Sequence, residues 1–420
     1  MVIFAFLKRY IFKLYPTIGH SYLLLLFACM KRLFRNSLFG LVGFVLLSTG
    51  LTYTPPFVHI RNYVQRGDVD ILDYKNYPTR QVLASTRPEP WPLDTNFNKE
   101  IISKNLLDSL EKYQTTAFLV LKDGKLLYEK YWEGFDTRTR SQSFSAAKSV
   151  ISMLVGIALN ENKIKNIDEP VGHYLGAFEK GEKNKITIRN CLTMSSGLNW
   201  HESDRGVFSN NAYGYYGEDI EDVIKDLKVE KPAGKEFEYR SGDTQILALI
   251  LEKVYNKKIA DLASEKIFQL IGSESNALWM LDKPKGREKA FCCFAPTARD
   301  YARFGHLMLW EGNWHGRQIV PTLYMKEAMR PATYILNRNN QKPQEVYGLQ
   351  FWIQDYKGVP TVSMRGLLGQ LIWAIPSQNA VVVRLGHKES PYLKGIFFKP
   401  ESYSFLDAAM EVIEQSKVAQ

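Results

Sequence analysis

Cysteine is scarce in this chain: four in 420 residues, at positions 29, 191, 292 and 293. That is too few for a disulfide-built fold, and no C-x-x-C spacing offers a zinc site. Adjacent cysteines rarely bridge each other, so Cys292 and Cys293 are not expected to pair. A bridge from Cys191 to one of them stays open. H-E-x-x-H and the phosphate-binding G-x-x-x-x-G-K-[ST] loop are missing, and so is G-x-S-x-G, the serine elbow of α/β-hydrolases. No metal or cofactor is expected. Acidic residues are absent from positions 1–66, which hold Lys8, Arg9, Lys13, Lys31, Arg32, Arg35, Arg61 and Arg66. The net charge of +10 is therefore mostly local, and the remainder of the chain is near neutral. A near-neutral body argues against a broad phosphate-binding surface, so nucleic acid is not an expected partner.

Long apolar runs are few, and the clearest is N-terminal. Leu38–Tyr53 is uncharged, follows Lys31, Arg32 and Arg35, and precedes Pro55-Pro56. This is the layout of a membrane anchor with its basic flank held inside. No small-residue cleavage site follows, which favours an uncleaved anchor over a cleaved signal. The run is short for a span of about 20 residues, and Thr54–Val58 can lengthen it. The expected location is the bacterial inner membrane with the body outside the cytoplasm. For residues 1–29 the preferred reading is a true start at Met30; a two-span hairpin is second. Residues 1–58 thus form the anchor region, 59–100 a linker packed along the body, and 101–416 the folded domain.

Within that domain the residue periods suggest an order of elements. Residues 101–113 form an amphipathic helix. Thr116–Leu121 and Lys125–Trp132 flank Asp123-Gly124, a two-residue hairpin signal. Residues 160–290 are mostly short helices and loops. Thr297–Trp310 is a helix with Thr297 and Asp300 at its start. Strands follow at Gly348–Gln354, Thr361–Met364, Gln370–Ile375 and Ala380–Leu385, and Ser404–Ser416 closes the chain as a helix. Strands at both ends of the domain around a helical middle imply an α+β fold. An antiparallel sheet is flanked by helices, with a helical insert and an active-site cleft between the two parts.

The residues most suited to chemistry are Ser145 and Lys148. They sit at the head of a run carrying Val150, Ile151, Leu154, Val155, Ile157 and Leu159 with hardly a charge, which reads as a helix buried nearly all round. Residues three apart share a helix face. A serine hydroxyl needs a base, and a lysine in a dry setting has a lowered pKa and can be that base. The helix N-terminus favours an alkoxide and disfavours an ammonium. The bland alternative is a serine that merely caps a helix. Position decides against it, because a solvated lysine would not sit one turn into an apolar helix. Trp200-His201 and His387-Lys388 suit structural roles better than catalytic ones. The Tyr- and Gly-rich stretch Asn210–Asp219 fits a surface loop at least as well as a cleft wall.

With these residues placed, the chain resembles the serine β-lactamase and penicillin-binding protein superfamily. The nearest likeness is to the class C-like branch holding esterases and 6-aminohexanoate-dimer hydrolase. S-A-A-K-S carries the first motif. Ile186–Trp200, the segment from Pro232 to Asp243 and FAPTARDYARFGHLML carry the rest in the same order. The resemblance implies Ser145 as nucleophile, Lys148 as its base and Tyr239 as the relay that protonates the leaving group. Ser241 stands where the family often has asparagine. The third motif, usually K-T-G or H-x-G, is matched only by Met364-Arg365-Gly366, with Gly366 in the glycine place. The N–H of Leu367 would join that of Ser145 as an oxyanion hole. Methionine for lysine removes the charge that grips a β-lactam carboxylate. Arg365 could replace it only if the strand bulged. The expected activity is hydrolysis of a small ester or linear amide. A β-lactamase or D-alanyl-D-alanine carboxypeptidase ranks below it, and a non-catalytic penicillin-binding-like receptor last.

Overall fold

Why the body folds around one sheet is visible in the strands themselves. The computed structural model describes residues 50, 52–54, 57–202, 206–338, 341–391 and 397–418. Residues 1–65 form one compact unit and residues 66–420 another. The anchor expected at Leu38–Tyr53 lies almost wholly outside the described residues. Among the described residues no helix is long and apolar enough to cross a membrane.

In the second unit, six strands make an antiparallel sheet. They are β1 (Thr115–Lys122), β2 (Lys125–Tyr131), β3 (Trp352–Tyr356), β4 (Val359–Gly366), β5 (Gln370–Ile375) and β6 (Ala380–Gly386), in the order β3-β4-β5-β6-β1-β2. Successive side chains of a strand face opposite sides. Ala117, Leu119 and Leu121 of β1 enter one core with Ile372, Ala374, Val381 and Val383. Phe118 and Val120 enter another with Leu371, Trp373, Ile375 and Val382. Both faces are covered, so these strands read as continuous apolar runs instead of alternating ones. The first face packs on α2 (Ala147–Asn160) and α4 (Ala298–Leu309); the second packs on α1 (Lys104–Lys112) and α5 (Pro400–Val418). Asp123 (φ 51°) and Gly124 (φ 77°) both take the left-handed conformation that the tight β1–β2 hairpin needs.

The middle of the chain is helical, as expected, and α3 (Ser241–Tyr255) is its longest element. It also holds a strand at Ala277–Met280. That strand pairs with Phe294–Ala295 on one side and with Thr79–Val82 on the other. The segment 59–100 thus contributes a strand, too short and polar (TRQV) to show alternation. The cysteine expectation is corrected: Cys292 bridges its neighbour Cys293, and Cys191 keeps a free, buried thiol in the short helix Ile188–Leu192.

Asn210–Tyr216 is a short helix whose carbonyl end is held from inside. The buried Lys289 ammonium donates to the carbonyls of Gly214 (3.0 Å), Tyr215 (2.6 Å) and Gly217 (2.9 Å). Gln142 donates to the Tyr215 hydroxyl, which donates to Asp73, and the Tyr216 hydroxyl donates to Gly67. Two of its tyrosines therefore serve the packing of the body.

Candidate active site

The chain turns sharply just before Ser145. Residues 141–143 are pinned by backbone bonds from Ser141 to Pro296 (3.1 Å), Gln142 to Ile71 (2.8 Å) and Ser143 to Phe294 (2.6 Å). Phe144 then adopts a left-handed conformation (φ 44°), costly for a residue with a side chain by roughly 1–2 kcal/mol. Ser145 follows in the 3-10 turn Phe144–Ala146 that leads into α2. It therefore sits at the helix N-terminus, where positive potential favours an alkoxide.

Lys148 is 1% exposed. Its Nζ donates to Ser145 Oγ at 2.8 Å and to the Phe291 carbonyl at 2.8 Å. Burial lowers its pKa to about 8, and the Glu202 carboxylate only partly opposes that fall. A neutral amine can accept the serine proton; an ammonium cannot.

Tyr239 belongs to no regular element, and its neighbours fix it. Glu238 N–H donates to Met194 O (2.9 Å) and its carboxylate pairs with His201 (2.9 Å), Arg240 and Arg338. Arg240 also donates to Leu198 O at 2.7 Å. The Tyr239 ring lies 5.0 Å from Lys148 Nζ. Burial raises the phenol's pKa, and hydrogen bonding with Ser145 offsets part of the rise. At neutral pH the Tyr239 phenol keeps its proton.

The third-motif residues divide between the two faces of β4. Gly366 faces the nucleophile turn: a Cβ there would stand 1.9 Å from the Ser143 carbonyl oxygen, so only glycine fits. Met364 is 1% exposed and packs in the core of the α2 face. Arg365 points the other way. It donates to Phe397 O at 2.8 Å and lies 4.8 Å from the ring centroids of Trp352 and Phe398. The pairing of β4 with β5 is regular through Gly366, so no bulge turns Arg365 into the cleft. Leu367 opens the turn Leu367–Gly369 and is exposed. The buried Arg384 holds that turn by donating to Leu368 O (3.0 Å) and Gly369 O (2.9 Å). Ser241 is buried at the start of α3; its N–H donates to Glu202 Oε1 at 2.6 Å, and its hydroxyl makes no hydrogen bond among the described residues.

A model of the β-lactamase family matches residues 104–395. The chain belongs to the β-lactamase family. It is 26% identical over 303 residues to a 6-aminohexanoate-dimer hydrolase of Paenarthrobacter ureafaciens, covering 68% of this chain and 76% of that one. Among solved structures it is similar to a putative 6-aminohexanoate-dimer hydrolase from Bacillus anthracis, with TM-score 0.71, 21% identity and coverage of 87% and 96%. It is also similar to a family VIII carboxylesterase, with TM-score 0.59, 14% identity and coverage of 77% and 99%. Family and site together make the chain a serine hydrolase.

In this β-lactamase-family member, Ser145 is bonded to Lys148, and the Tyr239 ring lies beside the Lys148 ammonium. His201 and His387 do not join them. His201 bridges Glu238 and Glu230, and His387 pairs with Asp70 at 2.8 Å. Three groups at the site carried no signal in sequence: the Phe291 carbonyl, Glu202 and Trp352. No spacing rule links any of them to Ser145.

Proposed function

We propose that this protein hydrolyses small esters or linear amides through an acyl-enzyme on Ser145. The observation that supports it most is the 2.8 Å bond between Ser145 and a buried lysine whose pKa is lowered to about 8. Neutral Lys148 takes the Ser145 proton as Oγ attacks the substrate carbonyl. The N–H groups of Ser145 and Leu367 receive the oxyanion. Tyr239 gives its proton to the departing oxygen or nitrogen and regains one from the Lys148 ammonium. Water then attacks the acyl-enzyme by the same route. The free Ser241 hydroxyl is a donor to the substrate.

The substrate class follows from a missing charge. With Met364 buried and Arg365 held by Phe397 and two rings, no third-motif cation faces the substrate. One lost charge-assisted hydrogen bond to a carboxylate costs about 1.5–3 kcal/mol, or roughly 10- to 150-fold in affinity. The names of the relatives, an aminohexanoate-dimer hydrolase and a carboxylesterase, agree with ester or amide cleavage. The specificity constant for a para-nitrophenyl ester should therefore exceed that for a chromogenic cephalosporin on the same preparation. A cephalosporin value equal to or above the ester value would make β-lactamase the primary activity. Acylation by penicillin without turnover of either substrate would make the chain a receptor.

The basic flank and the apolar run Leu38–Tyr53 further support an inner-membrane anchor with the hydrolase domain outside the cytoplasm. Alkaline phosphatase fused after residue 66 should be active in bacterial cells. An inactive fusion, with the intact chain recovered in the soluble cytosol, would contradict export.

A further inference from the structure

Tyr239 has the harder task in this site, because it must carry negative charge for the moment between giving up its proton and regaining one. A buried phenol resists that charge, and burial does raise its pKa. A cationic third-motif side chain could ease the step, but position 364 is a methionine packed in the core. Arg365 of the same motif, on the opposite face of the strand, reaches Tyr239 through Trp352. The Trp352 ring, at the start of edge strand β3, lies against Tyr239 with centroids 5.3 Å apart and planes tilted by 32°. Tyr347 packs on Trp352 edge-on at 4.8 Å, and the Arg365 guanidinium sits 4.8 Å from the Trp352 ring centroid. Four groups thus form a chain of contacts, from Lys148 to Tyr239, Trp352 and Arg365.

We propose, on the hydrolase reading above, that Trp352 is a positioning residue whose indole N–H steadies the Tyr239 oxygen as its proton leaves, with Arg365 supplying the positive charge behind it. Two electrostatic effects on Tyr239 run in the same direction as these ring contacts. Hydrogen bonding with Trp352 and the charge of Arg365 both favour the ionised phenol, against the larger effect of burial. The proton balance is closed. Tyr239 Oη loses its proton to the leaving group, and the Lys148 ammonium formed in the attack step returns one to Oη. The indole N–H shares its hydrogen throughout and transfers nothing.

Leaving-group dependence separates this role from simple packing. A para-nitrophenolate departs without a proton, whereas an alkoxide from an ethyl ester needs one. Trp352→Phe keeps an aromatic ring and removes the N–H. Its specificity constant for ethyl butyrate should fall about 30-fold or more, a part of the roughly 10²- to 10⁴-fold that acid–base assistance supplies, and for para-nitrophenyl butyrate only about threefold. Arg365→Met should show the same bias with a smaller loss. Equal losses on both esters, or an ethyl ester rate within twofold of wild type, would overturn the proposal. Melting temperatures of both variants identify misfolding, and Arg365→Met carries the test if Trp352→Phe does not fold. Fluorophosphonate labelling of the wild-type chain at Ser145 is run alongside. If the wild type is not labelled there, the hydrolase reading itself fails. If it is labelled and no leaving-group bias appears, only the role of Trp352 falls.

Discussion

Ser145→Ala should lower turnover of a para-nitrophenyl ester by on the order of 10⁴- to 10⁶-fold, the scale seen when a catalytic serine is removed. The loss is large because the site is built as a unit around one oxygen. Lys148 is bonded to it, Tyr239 partners it and Gly366 presses against the turn that presents it. The fold should survive, because an alanine at the helix start loses only the lysine and tyrosine partners. Steady-state rates and a melting curve on the same preparation check both halves. Ester turnover within tenfold of wild type would move the nucleophile elsewhere, with Ser143 or Ser241 the next to replace.

Lys148→Met should remove most activity and make the protein more stable. Burial holds the lysine pKa at about 8, against 10.5 for a free side chain, so folding penalises its charged form. The penalty is fully present below pH 8 and fades as the pH rises towards 10.5. That difference is worth at most about 3 kcal/mol, reduced by the lost bonds to Ser145 and Phe291. A net gain of roughly 1–2 kcal/mol at pH 7 is expected, of the kind that follows when a functional charge is exchanged for an apolar group. It should shrink towards pH 10. The same titration governs catalysis: kcat/KM of the wild type should rise about tenfold per pH unit below 8 and level off above it. Thermal denaturation at both pH values and a pH–rate profile measure this. A variant less stable than wild type at pH 7, or a wild-type rate that is flat between pH 6 and 9, would show that Lys148 is not a buried base.

Much of this site was legible in the residues because its chemistry is local. Ser145 and Lys148 are three apart on one apolar helix, so helix geometry alone brings them together. The β1–β2 hairpin was equally plain, since Asp123-Gly124 can adopt a turn that few other pairs can. The strands β5 and β6 were visible as apolar runs, because both sheet faces are covered. Tyr239 is different. Nothing in its own neighbourhood distinguishes it from 22 other tyrosines, and only its place in a recognised order of motifs singled it out. Trp352, Glu202 and the Phe291 carbonyl arrive from distant segments through tertiary packing, which no period records. Arg365 shows the opposite case. Strand alternation correctly puts it on the face away from Met364, but its ring partners at 352 and 398 could not be foreseen. The adjacent cysteine bridge ran against expectation, since sequence statistics speak for the average turn and not for this one.

A covalent intermediate on Ser145 can be trapped and located by active-site labelling. The protein is treated with a fluorophosphonate probe, digested and mapped by mass spectrometry. A single adduct on the peptide containing Ser145, absent from Ser145→Ala and strongly slowed in Lys148→Met, is the result expected. An adduct on any other residue, or labelling of Ser145→Ala at the wild-type rate, would contradict it.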